Sequence, residues 1–175
     1  MKKNFKNVIT LFTPLFLIMA CMVSSSSCAG YKLGSCLPPE IKSIYIKPFI
    51  NRCKEPFADI EARAATITRF QEDGSLKIVE EENADAILEC SVDKIRLKAL
   101  RYRKDDKTKP NEYRMFVAVS YTLKKPDGKI ITEGAVEGET TFIFAGNMAG
   151  AKRTALPKAC QDMAKRLVEK MAETW

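Results

Sequence analysis

Two alternating runs on either side of Pro126-Asp127-Gly128 constrain this chain more than any other feature. From Tyr113 to Leu123 apolar residues fall at every second position, through Met115, Val117, Val119 and Tyr121, and a second run extends from Lys129 to Val136. Alternation at period two describes a strand with one buried face. Pro fixes the backbone at the start of a tight turn, and Asp-Gly tolerates the left-handed conformation that follows. The two runs should therefore pair antiparallel, and their apolar face needs a cover.

Helices supply that cover. Phe57, Ile60, Ala64, Ile67 and Phe70 recur at three- and four-residue steps and predict a helix with that stripe buried, ended by Asp73-Gly74. Ala155 to Trp175 predicts the clearest helix, with Leu156, Cys160, Met163, Leu167, Met171 and Trp175 on its inner stripe. Ile41 to Phe49 reads as a first strand stopping at Pro48 and Asn51-Arg52, and Leu76, Ile78 and Val79 as a short second one. Ala86, Leu88, Cys90 and Val92 alternate, then Ile95, Leu97 and Ala99 continue out of phase, which predicts one long strand with a bulge. The predicted fold class is an α/β (α+β) sandwich, two helices on one face of a small mixed β-sheet, in the order β-α-β-β-β-β-α. Cys90 and Cys160 should share its core. Cys36 and Cys53 flank the first strand, too far apart at about 3.3 Å per residue for a disulfide.

The amino-terminal segment sets the compartment. Lys2, Lys3 and Lys6 precede an almost wholly apolar stretch from Val8 to Val23, and no charge occurs between Lys6 and Lys32. This is the layout of a secretory signal. The stretch is shorter than the roughly 20 residues of a membrane-spanning helix and contains Pro14. A signal running through small residues into cysteine is the mark of a bacterial lipoprotein, processed just before a cysteine that carries the lipid. Ile18-Met19-Ala20-Cys21 has the better local chemistry. Cleavage before Cys28 instead leaves Cys36, Cys53, Cys90 and Cys160, an even number suited to an oxidising compartment. Both sites stay open. Residues 1–27 are thus expected to be the signal and processing region, and 28–175 the mature domain, anchored to a membrane surface by its lipid.

Composition excludes several function classes. The formal charge of +7 falls to about +4 when the three leader lysines are lost, too mild to argue for nucleic acid. The chain has no histidine and no CxxC, so neither a metal centre nor a Ser–His or Cys–His pair is expected. Glu80, Glu81 and Glu82 are expected to form a solvated turn. No catalytic residue and no cofactor is predicted.

Several blocks, in order, resemble the lipopolysaccharide-assembly lipoproteins of the LptE family: Cys28-Ala29-Gly30-Tyr31-Lys32-Leu33-Gly34, Pro48-Phe49-Ile50-Asn51-Arg52-Cys53-Lys54-Glu55-Pro56, Asp73-Gly74-Ser75-Leu76 with Ala84-Asp85-Ala86-Ile87-Leu88-Glu89, Glu112-Tyr113-Arg114, Ala145-Gly146-Asn147, and the last helix from Leu167 to Trp175. The resemblance implies a lipid-anchored protein on the periplasmic face of the outer membrane. It implies two partners, an LptD-type β-barrel that the chain plugs and helps assemble, and lipopolysaccharide that it helps carry to the outer leaflet. Cys53 stands where that family usually has a small polar residue. A different class, an accessory or structural lipoprotein of another envelope or secretion complex, fits the same composition.

Two segments are candidate sites under that resemblance. Lys98, Arg101, Arg103, Lys104, Lys107 and Lys109 cluster at a strand end and the following loop, where Lys and Arg can clamp lipid A phosphates. Thr140 to Met148, placed after the last strand, carries Phe142 and Phe144 as candidate barrel contacts or as caps on the core.

Overall fold

The computed structural model describes residues 40–104, 108–144 and 146–173, all within one compact unit, Ser35–Trp175. Its elements are β1 (Ser43–Ile46), β2 (Ile50–Asn51), α1 (Ala58–Asp73), β3 (Lys77–Ile78), β4 (Ala86–Tyr102), β5 (Pro110–Lys124), β6 (Ile130–Ile143) and α2 (Met148–Glu173). The sheet runs β3-β1-β4-β5-β6, with β2 also paired to β4. Its β1–β3, β1–β4 and β2–β4 pairs are parallel, while β4–β5 and β5–β6 are antiparallel. This is the two-layer α+β architecture that the sequence predicts, with one strand more.

That extra strand follows from Pro48. Lys47 N–H still reaches Leu88 O at 3.0 Å, and Arg52 N–H reaches Val92 O at 2.9 Å. Between them Pro48 has no N–H to give, so the line along β4 is interrupted and resumes as β2. The predicted bulge is present: Val92 pairs with Val119 and Lys94 with Ala118, leaving Asp93 as the extra residue. Leu88, Cys90 and Val92 lie beneath the helices before it, and Ile95 and Leu97 pack against the same core after it.

Both boundaries of the last hairpin and helix shift from expectation. β6 extends to Ile143, so Thr140–Ile143 belong to the last strand instead of following it. Helix α2 begins at Met148, seven residues before Ala155. Asn147 explains the early start, because its Oδ1 accepts from Gly150 N–H at 3.2 Å in the manner of an N-cap. The predicted inner stripe of α2 is buried through Leu156, Cys160, Met163, Leu167 and Met171.

The stripe predicted for α1 is corrected in part: Phe70 is buried as expected and Ile67 is half-buried against the core, but Phe57, Ile60 and Ala64 are exposed. Its buried residues are Ala58, Ala62, Thr66 and Phe70, while Phe57 and Ile60 are 58% and 60% exposed. At 100° per residue the Phe57–Ile60–Ala64–Ile67 row points roughly 160° away from that buried row. The buried row opens with the small Ala58 and Ala62, both fully buried, and ends on Phe70. The buried Thr66 hydroxyl is satisfied by donating to Ala62 O at 2.8 Å. Gly74, at φ 68, ends the helix as predicted and donates to Phe70 O.

Cys90 and Cys160 both lie in the core. Burial raises the Cys90 thiol pKa strongly; burial, then the nearby charges of Glu61 and Cys53, push Cys160 up to about 12. Iodoacetamide at pH 8 should therefore leave both unlabelled in the native chain and label them only in denaturant. Labelling of either at native rates, read by peptide mapping, would contradict their placement. Cys36 lies outside the described residues.

Candidate functional site

The sheet face opposite the helices is polar and laced with charged pairs. Glu89 on β4 accepts from Lys47, the residue after β1, at 2.9 Å and from Lys124 on β5 at 2.8 Å. At the bulge, Asp93 accepts from Ser91 Oγ at 2.8 Å, from Ser120 Oγ, and from Arg52 at 3.3 Å. Further along, Arg96 pairs with Glu137, Arg114 with Glu139 at 3.3 Å, and Arg101 with Glu112 at 3.2 Å. Arg96 also lies 4.9 Å over the Phe116 ring. Most of these contacts join neighbouring or next-but-one strands, so the face is laced by ladders that help fix strand register.

These contacts set a pH dependence. Hydrogen bonds from Lys124 and Lys47 hold Glu89 below its ordinary pKa, and bonds from Ser43 and Lys42 do so for Asp85. Burial alone would raise Asp93, but the hydroxyls of Ser120 and Ser91 and the charge of Arg52 lower it. A lowered carboxylate pKa contributes stability that is present above the unfolded value near 4 and lost as pH falls through the folded one. The thermal midpoint should fall between about pH 4.5 and pH 2 for this reason. Asp93→Asn should flatten part of that fall. An identical profile in the variant would remove Asp93 from the account.

The predicted basic cluster divides. Lys98 and Arg101 lie on the polar face of β4, where Lys98 pairs across to Arg114 and Arg101 to Glu112. Arg103 and Lys104 are exposed just after β4, Lys109 is exposed just before β5, and Lys107 lies outside the described residues. Arg103 N–H donates to Lys109 O at 3.0 Å, closing the hairpin end. A second register shift, between Ala99 and Arg101, keeps Arg101 on the face that Lys98 occupies. The sequence reading missed Lys94 and Arg96, which share this face and were findable as the two-residue continuation back from Lys98. Acids neutralise Arg96 and Arg101, whereas Lys94, Lys98 and Lys104 are exposed cations.

Phe142 and Phe144 are half-buried. Tyr113 on β5 stacks on Phe142 at 5.8 Å and meets Phe144 edge-on at 6.3 Å. Ile143 between them points outward and is 73% exposed. Cys21 and Cys28 lie outside the described residues.

One further feature is a hollow of about 360 Å³ between the turn before α1 and the start of α2. Pro56, Phe57, Ile60, Met115 and Leu156 line it, with Glu55, Glu61, Lys152 and Arg153 at its edges. The sequence reading assigned Phe57 and Ile60 to the core and so did not see it.

The family model described as LptE, lipopolysaccharide-assembly, matches residues 41–172. Among solved structures, the hypothetical protein CT253 from Chlamydia trachomatis is similar with a TM-score of 0.54 and 8% identity, over 75% of this chain and 96% of that one. A minor lipoprotein from Acinetobacter baumannii aligns with a TM-score of 0.50 and 8% identity, over 75% and 93%. At such identities these two share the fold. No curated protein matches the sequence.

Proposed function

The chain belongs to the LptE lipopolysaccharide-assembly family, and from that premise we propose that it is an outer-membrane lipoprotein that plugs an LptD-type β-barrel and assists lipopolysaccharide transport. The observation that carries this reading is the family match over residues 41–172, which runs from ahead of β1 to the last turn of α2. No helix among the described residues is long and apolar enough to cross a membrane, and attachment in this reading is through acylated Cys21 or Cys28. No catalytic step is assigned to it.

Lipopolysaccharide contact would fall on the exposed cations at the end of the β4–β5 hairpin. Lys98, Lys104 and the neighbouring Arg103 and Lys109 offer point charges to phosphates, on a face where Lys94 adds another. Exposed pairs contribute up to about 1 kcal/mol each and are screened by salt. Lys98→Glu with Lys104→Glu should weaken lipid A binding by about tenfold or more at low salt, with the difference shrinking in 0.5 M salt. Unchanged affinity would take these lysines out of the site.

The partner is tested by affinity-tagging the chain, solubilising outer membranes and identifying what elutes with it by mass spectrometry. An LptD-type barrel in near-equal amount is the expected result. Elution with subunits of a secretion machine, and no barrel, would overturn the assignment in favour of an accessory envelope subunit.

A further inference from the structure

We propose that the hollow between the Glu55-Pro56-Phe57 turn and the start of α2 is a protein-docking pocket, which takes one bulky apolar side chain flanked by a carboxylate. Its volume of about 360 Å³ lies within the range of roughly 300–1,000 Å³ typical of binding pockets. Met115 and Leu156 form a fully apolar floor. Phe57 and Ile60 stand at the rim, more than half exposed, where a folded domain gains little from them.

The backbone there is held in an unfavourable form. Phe57 has φ 65 and Lys54 has φ 62, left-handed values that a bulky aromatic rarely adopts. Such strain persists only where the surroundings over-determine it. They do: Asn51 Nδ2 donates to Glu55 O at 2.8 Å, Cys53 N–H donates to Asn51 Oδ1 at 3.1 Å, and Lys152 pairs with Glu55 at 2.8 Å. The Asn51–Glu55-Pro56 stretch is thus the scaffold that presents Phe57 outward.

Charge identifies the occupant. Arg153 lies 5.9 Å over the Phe57 ring, with no carboxylate partner among the described residues. Glu61 lines the other side, also without an ion pair there. A peptide segment satisfies both, its acidic side chain meeting Arg153 and a backbone N–H meeting Glu61, while the apolar side chain enters the floor. A phosphate-bearing lipid satisfies Arg153 alone and faces the Glu55 and Glu61 carboxylates. The inference does not depend on the barrel assignment, since any protein partner with this chemistry fits.

The test uses the full lipidated chain in detergent, carrying methyl-labelled methionine, and two blocked peptides, acetyl-Gly-Asp-Phe-Gly-Ser-amide and its Asp-to-Lys counterpart. The Met115 methyl resonance should shift on titration while those of Met163 and Met171 stay. The acidic peptide should bind about fivefold more tightly, and Arg153→Glu should reverse the preference. Phe57→Gly should melt within about 3 °C of wild type, relief of the left-handed strain offsetting the freer unfolded chain, and yet lose the shift. The pocket is disproved by silence at Met115 with both peptides, by equal affinity for the two, by full binding in Phe57→Gly, or by a shift caused only by dihexanoyl phosphatidic acid. Peptide binding without a co-purifying barrel keeps the pocket and removes the barrel reading. A barrel that co-purifies equally with wild type and Arg153→Glu, with no peptide binding, does the reverse.

Discussion

Gly138→Ala is expected to cost about 3 kcal/mol or more and to lower the thermal midpoint by roughly 10 °C. A Cβ at Gly138 would stand 2.2 Å from Met163 N, 2.4 Å from Ala159 O and 2.5 Å from Met163 Cα. Those are backbone atoms in the middle of α2, so no side chain can rotate aside. The helix would have to lift off β6, loosening Ala159, Cys160, Met163 and Leu167, all fully buried. It would also lose the bond from Glu139 N–H to Asp162 at 2.8 Å, which closes an outward-facing donor of this edge strand. Gly134→Ala is the control, since the atoms nearest its Cβ all belong to the Tyr121 side chain, the first at 3.0 Å. It should cost under about 1.5 kcal/mol. Thermal denaturation followed by circular dichroism separates the two. A Gly138→Ala protein melting within 2 °C of wild type would mean that α2 does not rest on β6 in this way.

That close approach shows what the sequence could and could not reveal. Period-two alternation in β5, the Pro126-Asp127-Gly128 turn and the phase slip after Val92 are local signals, and sheet, hairpin and bulge all follow from them. Gly138 reads as an ordinary weak point in a strand, because its importance depends on a helix arriving from more than twenty residues later. The start of α2 was missed for a related reason: a lone Asn147 cap is a weak signal beside the apolar periodicity that begins at Ala155. The site was less legible than the fold. Alternation about the bulge could have joined Lys94 and Arg96 to Lys98 as one face. The ion pairs that occupy Arg96, Arg101 and Arg114 depend on register across three strands, and no local pattern supplies it.

Helix α1 posed a sharper ambiguity, and a pair of substitutions resolves it. The helix carries two rows able to face a core, and the row richer in large apolar residues is the one turned outward. Hydrophobicity alone cannot choose between them: the buried row holds the small Ala58 and Ala62 and ends on Phe70, while the larger Ile60 is exposed. Phe70 anchors the inner row as the largest fully buried side chain, 2% exposed. Phe70→Ala should therefore cost about 3–5 kcal/mol, the sum of lost transfer energy and the cavity left behind. Ile60→Ala should stay within about 0.5 kcal/mol of wild type, since its side chain is 60% exposed. Denaturant titration gives both values on one scale, with an unchanged slope as the sign that the same domain is unfolding. If the two costs come out equal, α1 is turned with Ile60 inward. The rim of the docking pocket would then be core, and the strained Phe57 would need no partner to account for it.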